Sequence, residues 1–241
     1  MKEIQRILER RSERNYKKIA IEQEKIKKIL DVINTSPTST NSQDFTAIIV
    51  TDTELKKEIT LGYKNQVHII EAPLFIIFCA DMNRIKYISE KNNKKIYTNS
   101  FNNFLTSSGD AFIAASFAAN AAIQLGLGTC YIGMVRASIE KIQEKLNLTG
   151  NILPVIGLTI GYPELQNEIK PKINHIYRDK YDLEKVKEEV NDYDEAMLKY
   201  YDNRNQNKKN SNWSDSCLNV FLDDKVSKKV DEIIKKVWKI N

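Results

Sequence analysis

Apolar residues recur at helical spacing in several stretches of the chain and run without interruption in others, and this alternation sets the expected elements. Ile4, Ile7 and Leu8 fall on one face of a charged segment over residues 2–14, and Ile26, Ile29, Leu30 and Ile33 form a stripe over residues 22–33. Pro37 forbids helix beyond that stripe, within a hydroxyl-rich loop, TSPTSTNSQ, over residues 35–43. FTAIIVT (45–51) and PLFIIFC (73–79) are β-branched or continuously apolar and read as buried strands, the second covered on both faces. A short helix over residues 52–61, capped by Asp52 or Thr53, stands between them.

Residues 105–125, LTSSGDAFIAASFAANAAIQL, predict a central helix whose small side chains let other backbones or a flat ligand approach closely. Gly126 and Gly128 end it. TCYIGMV (129–135) reads as a third strand, Ser138 caps a helix over 139–147, and ILPVIGLTIG (152–161) is a fourth strand. Beyond Pro163 the chain is polar and helical: a charged helix over 183–201, a segment without apolar residues at 203–212 (NRNQNKKNSN), and an amphipathic helix over 215–239. Alternating strands and helices predict a layered α/β or α+β core over residues 1–163, with 164–241 as a helical extension. That extension has little core of its own, which points to packing on a partner subunit and hence a dimer.

Composition narrows the classes. A net charge of +5 is spread along the chain rather than gathered in a basic stripe, which disfavours nucleic acid and suits phosphate-bearing ligands. Three scattered cysteines predict no disulfide framework, and two histidines give no convincing metal site. No apolar run is long enough to cross a bilayer, and the charged start lacks a secretory core, so the expected location is the cytoplasm.

Four segments carry candidate chemistry. Arg10-Arg11-Ser12-Glu13-Arg14 offers guanidinium forks and a hydroxyl for phosphate, or else a solvated basic face. The hydroxyl-rich loop serves a ligand or only connects helix to strand. Gly126-Leu127-Gly128 fails the dinucleotide fingerprint, since a helix precedes and a strand follows; Gly133 instead offers an unshielded backbone N–H. Lys170-Pro171-Lys172 places two cations on a stiff spacer, or is a surface loop.

In order, RRSERNY, STNSQ, Gln66 with His68 ahead of EAPLFIIFCAD, GDAFIAASFAANAAIQLGLGTCYIG, LPVIGLTIGYP, KPK and YYDNRNQNKKNSNWSD resemble the NADPH-dependent FMN nitroreductase and flavin-reductase family over nearly the whole chain. The resemblance implies an α+β fold with a mainly antiparallel central sheet flanked by helices, in an intertwined homodimer with FMN at its interface. It implies FMN contacts from Arg10, Arg11, Ser12 and Arg14, from Thr38, Ser39 and Thr40, from Gln66, from Tyr131, Ile132 and Gly133, and from Lys170 and Lys172. Arg204, Lys208 and Lys209 match the loop that takes the 2′-phosphate of NADPH. Three positions depart from the pattern: Arg10 where His is usual, Met134 for a second glycine, and Lys172 for Arg. With lysines in the nicotinamide loop, NADPH and NADH both remain candidate reductants.

The implied activity is ping-pong, two-electron reduction of nitroaromatics, quinones or free flavins, with the chemistry supplied by FMN rather than by a catalytic side chain. A dedicated flavin or disulfide reductase of the same fold is the alternative within enzymes. A non-catalytic, basic polyanion-binding protein is the alternative from another class.

Overall fold

The computed structural model describes residues 2–61, 63, 66–164, 168–204, 208, 210–222 and 224–240 of the 241 in the chain. They fall into two compact units, Met1–Asn167 with Ser227–Asn241, and Glu168–Val226.

The first unit is built on four strands: β1 (Phe45–Val50), β2 (Leu74–Asp81), β3 (Gly128–Ile132) and β4 (Ile152–Gly161). They lie in the order β1-β2-β4-β3, and every ladder is antiparallel. All eight residues of β2 are buried, so its unbroken apolar run does mark cover on both faces. Alternation along the strand divides those residues. Leu74, Ile76, Phe78 and Ala80 meet α2 (Gln23–Asn34) and α6 (Phe101–Gln124), while Phe75, Ile77 and Cys79 meet α3 (Thr53–Thr60) and α7 (Ile139–Lys145). The ladder between β2 and β4 shifts register at Phe78/Cys79, where Val155 and Ile156 both join the α6 side.

The Ala-rich segment forms α6, with the Ser100 hydroxyl accepting from Asn103 N at 3.1 Å. Ala111, Ala114, Ala115, Ala118 and Ala122 are all fully buried, which lets the helix backbone ride close to the sheet. Its end is a left-handed glycine cap: Leu127 N donates to Ala122 O and Gly126 N to Ile123 O, with Gly126 at φ 79°. Asp52 caps α3 through Leu55 N at 2.7 Å, as its position before the stripe predicts.

Several expectations are corrected. The N-terminal helix α1 stops at Leu8 (Lys2–Leu8), and residues 10–16 are extended because Glu13 N finds Thr129 O at 2.9 Å. β3 ends at Ile132 rather than Val135, since its ladder stops at Gly157, short of the β4 irregularity. A 3-10 turn (Gly133–Arg136) follows, and Arg136 donates to the carbonyl of Val155 at 2.9 Å. Ser138 precedes α7 but makes no cap; its hydroxyl lies 3.2 Å from the Met134 sulfur. The short helices α4 (Val67–Glu71) and α5 (Asn83–Lys91) were not foreseen.

The second unit contains α8 (Leu183–Asn203), capped by Asp182, and α9 (Trp213–Phe221), capped by Asn212. Asp194 of α8 accepts from Ser214 N at 2.8 Å, and the Tyr193 and Trp213 rings meet edge to face at 5.5 Å. The helix expected over 215–239 is two helices, α9 and α10 (Lys225–Trp238). Asp224 stands immediately before α10, where a carboxylate favours the start of a helix. Residues 227–241 cluster with the first unit, where Trp238 is fully buried with its ring 5.0 Å from that of Phe104.

Candidate functional site

The basic segment near the start is laid along the edge strand β3. Ser12 pairs with Thr129 in a parallel bridge and Tyr16 with Pro163 in an antiparallel one. Buried Tyr16 anchors the far end, donating to Glu13 O at 2.9 Å and sharing a 2.9 Å bond with the Thr159 hydroxyl; burial raises its phenol well above the ordinary range. Two glycines permit this approach. A Cβ at Gly128 would stand 2.7 Å from Glu13 Cγ, and one at Gly161 would stand 2.7 Å from Tyr16 Cδ1.

Because the segment is extended, its side chains alternate. Arg11 and Glu13 share one side as an ion pair at 3.2 Å, at a cleft of about 210 Å³ that Arg6, Glu9 and Arg10 also line. Ser12 hydrogen-bonds the buried Cys130 thiol, which burial pushes up and the charges of Arg14 and Arg10 pull back. Burial raises the Tyr131 phenol, with the Ser116 side chain and then Arg10 acting against it. Arg10 and Arg14 are exposed on either side of the Ser12 pairing, whereas Arg11 is turned to Glu13. Tyr131 stays 40% exposed, Ile132 is buried, and exposed Gly133 opens the 3-10 turn.

The hydroxyl-rich loop follows α2. Ser39–Asn41 form a single 3-10 turn, and Thr40, Asn41 and Gln43 hold positive φ of 49°, 58° and 56°. Thr38 Oγ1 accepts from both the backbone and the side-chain amide of Gln43 at 3.2 Å, leaving Ser39 and Thr40 exposed. Ser39 N donates to the Asp110 carboxyl of α6 at 3.0 and 3.1 Å. Gln66 is half-buried at the start of α4.

In the second unit, Lys170 and Lys172 are exposed in the irregular stretch before α8. Arg204 ends α8, with its guanidinium 5.6 Å from the Tyr200 ring centroid and Nε 4.0 Å from Glu168. Lys208 lines an open cleft of about 380 Å³ with Leu198, Lys199, Asp202 and Asn210. Lys209 lies outside the described residues. Among the described residues no cluster of His, Cys, Asp and Glu has metal-binding form, and all three cysteines are free.

The sequence reading passed over Asp110 and its neighbour Asp44. The signal was present: one carboxylate stands alone in the long Ala-rich run, on the face that the alanines bury.

The Nitroreductase family model matches residues 7–162, and the model for the Nitroreductase family C-terminal domain matches 171–237. The chain belongs to the nitroreductase family. The first match runs from α1 through β4 and so takes in the extended basic segment, the hydroxyl-rich loop and the strand bearing Tyr131. A relative from Bacillus subtilis (strain 168) named FMN reductase [NAD(P)H] is 34% identical over 226 residues, covering 90% of each chain. An oxygen-insensitive NADPH nitroreductase of Salmonella typhimurium is 30% identical over 193 residues, covering 76% of this chain and 78% of its own. The solved NfrA1 nitroreductase from B. subtilis superposes with a TM-score of 0.91 at 29% identity over 98% of both chains. A nitroreductase fold with an antiparallel sheet between helical layers is therefore the α+β architecture of this chain.

Proposed function

We propose that this nitroreductase-family protein is an FMN-dependent oxidoreductase that uses NADPH or NADH to reduce nitroaromatics, quinones or free flavins by ping-pong, two-electron steps. The observation that carries the reading is the pair of exposed guanidinium side chains, Arg10 and Arg14, flanking half-buried Ser12 on a segment pinned by backbone bonds to the edge strand β3. Phosphate esters are held by guanidinium forks and hydroxyl donors, and both are presented there, so the residues fit FMN. When bound, FMN supplies the two-electron redox chemistry, and the protein supplies position and field.

In this reading Arg10, Arg11, Ser12 and Arg14 serve the phosphate end, with Arg14 carrying more than Arg11, which Glu13 already engages. The exposed Ser39 and Thr40, with Thr38, add hydroxyl contacts, and Gln66 meets the ring or ribityl chain. The Tyr131-Ile132-Gly133 backbone borders the isoalloxazine, and Lys170 and Lys172 serve the phosphate or the pyrimidine edge. Arg204, Lys208 and Lys209 take the nicotinamide nucleotide. Residues 1–163 make the flavin core and 164–241 the extension with the nicotinamide-contacting loop, whose last helix returns to the core.

A homodimer completes the proposal. The outward side of α6 presents Phe112, Ile113 and Phe117, and α1 presents Ile4 and Leu8, all exposed. In the second unit Leu218, Phe221 and Leu222 are exposed as well. Apolar rows of this kind mark contact surfaces, and a second copy is the partner we assign. Phe117→Asp is expected to leave a monomer, read by light scattering on a sizing column; a mass that stays dimeric retires this face. Among the described residues no helix is long and apolar enough to cross a membrane, and we place the enzyme in the cytoplasm with its nicotinamide donor.

The test is direct. Purified protein should be yellow or become so with FMN, and double-reciprocal plots of NAD(P)H against acceptor should be parallel. Intersecting lines reject the ping-pong scheme, and protein that stays colourless with FMN rejects the flavin reading.

A further inference from the structure

The inward face of α6 is alanine and serine except at one place, Asp110, which is 3% exposed. Its carboxyl accepts the Ser39 N–H and lies in hydrogen-bond contact with the side chain of Asp44, itself 3% exposed. Asp44 Oδ2 accepts from the Ser107 hydroxyl at 3.1 Å, but Asp44 Oδ1 is buried without a donor. Two ionised carboxylates side by side in a dry site repel, and an orphaned buried acceptor is costly. One proton held between the two groups removes both penalties. The pair spans the second half of the hydroxyl-rich loop, because Asp110 holds Ser39 in its middle and Asp44 lies just past its end, at the threshold of β1. Between them Thr40, Asn41 and Gln43 hold positive φ, a conformation that non-glycine residues keep only when their surroundings impose it.

We propose that Asp110 is a positioning residue for the FMN loop, and that a proton shared with Asp44 keeps residues 39–44 in the shape that meets the cofactor. This rests on the flavin reading given above. Two other charged groups lie near the pair, each engaged with further partners. Asp81, at the end of β2, is engaged by the Thr46 hydroxyl at 2.6 Å and by Arg84 at 3.7 Å. Arg84, on α5, donates to the carbonyls of Gln43 and Phe45 on either side of Asp44.

Burial, and after it the bond to Asp44, pushes the Asp110 carboxyl up to about 7. A carboxyl raised in the folded state stabilises that state most at low pH, and the benefit is lost as pH climbs through the folded value. The loop should therefore be held firmly at pH 6 and loosened at pH 8. FMN affinity then falls with pH from this cause, although ionisation of the FMN phosphate near pH 6 acts the other way.

Asp110→Asn separates the two. The amide accepts from Ser39 N and donates to Asp44 at every pH, so it mimics the protonated state. Both proteins would be titrated with FMN by fluorescence quenching at pH 6 and pH 8. The ratio of wild-type to variant Kd should rise by about threefold or more, with about tenfold as the limit for one proton of midpoint 7. A smaller rise overturns the proposal. Asp44→Asn serves the same comparison should Asp110→Asn not fold. Carbon-13 NMR of the carboxyls in flavin-free wild type supplies an independent readout: one of the pair should titrate near pH 7, and two ordinary carboxylate titrations overturn the shared proton. Absence of FMN uptake by wild type at either pH would fail the flavin reading, and the NMR titration would still decide the pair.

Discussion

Arg14→Ala is expected to weaken FMN binding by about 10- to 100-fold. Hydrogen bonds to a charged group are worth about 1.5–3 kcal/mol, and each 1.4 kcal/mol is about tenfold in affinity. Arg14 is exposed, yet its field reaches the Cys130 thiol, and its backbone is fixed by the pairing of Ser12 with Thr129 and of Tyr16 with Pro163. The guanidinium is thus held at the strand edge without being spent on a carboxylate that any described contact records. Arg11 is the internal comparison. Its Nε is 3.2 Å from Glu13, so Arg11→Ala should cost less than Arg14→Ala. Arg14→Lys should fall between wild type and alanine, keeping the charge but losing the bidentate fork. Fluorescence quenching of FMN on titration measures all three, and an unchanged Kd in Arg14→Ala would remove this residue from the site.

Trp238→Ala should lower the stability of the protein by about 3–5 kcal/mol, the usual range for truncating a large buried aromatic. For a chain of this size that corresponds to a fall in Tm of about 10 °C, read by circular dichroism. Trp238 is fully buried, packs on Phe104 at the start of α6, and shares its cluster with Ile233. Its indole N–H has no hydrogen-bond partner among the described residues, so part of its burial is unfavourable. Trp238→Phe should accordingly cost much less than the alanine variant, about 2 kcal/mol or below, since it removes the orphaned donor while keeping a ring. A loss under about 1 kcal/mol in Trp238→Ala would mean that the last helix is not seated in the core.

The strands were legible because their information is local. β2 reads as buried on both faces from PLFIIFC alone, and α6 reads as a central helix from its small side chains. Caps were legible where a side chain serves its own helix, as Asp52 does for α3, and failed at Ser138, whose hydroxyl points back to the Met134 sulfur of the preceding 3-10 turn. The break between α9 and α10 was obscured because the amphipathic period continues on both sides of it. The ordered motifs carried the family; the neighbours of each candidate residue were not in them.

What the amino-acid order determined by itself is therefore the four strands and most of the longer helices, the double-sided burial of the central strand and membership of the nitroreductase family, all properties of short segments or of their succession. Tertiary structure alone decided that residues 10–16 run extended beside β3, that Arg11 turns to Glu13 while Ser12 pairs with Thr129, and that Asp110 meets Asp44 and Ser39. Each of these joins groups from distant parts of the chain, and the hydrogen bonds and shared protons that define them exist only once burial has excluded water from between them.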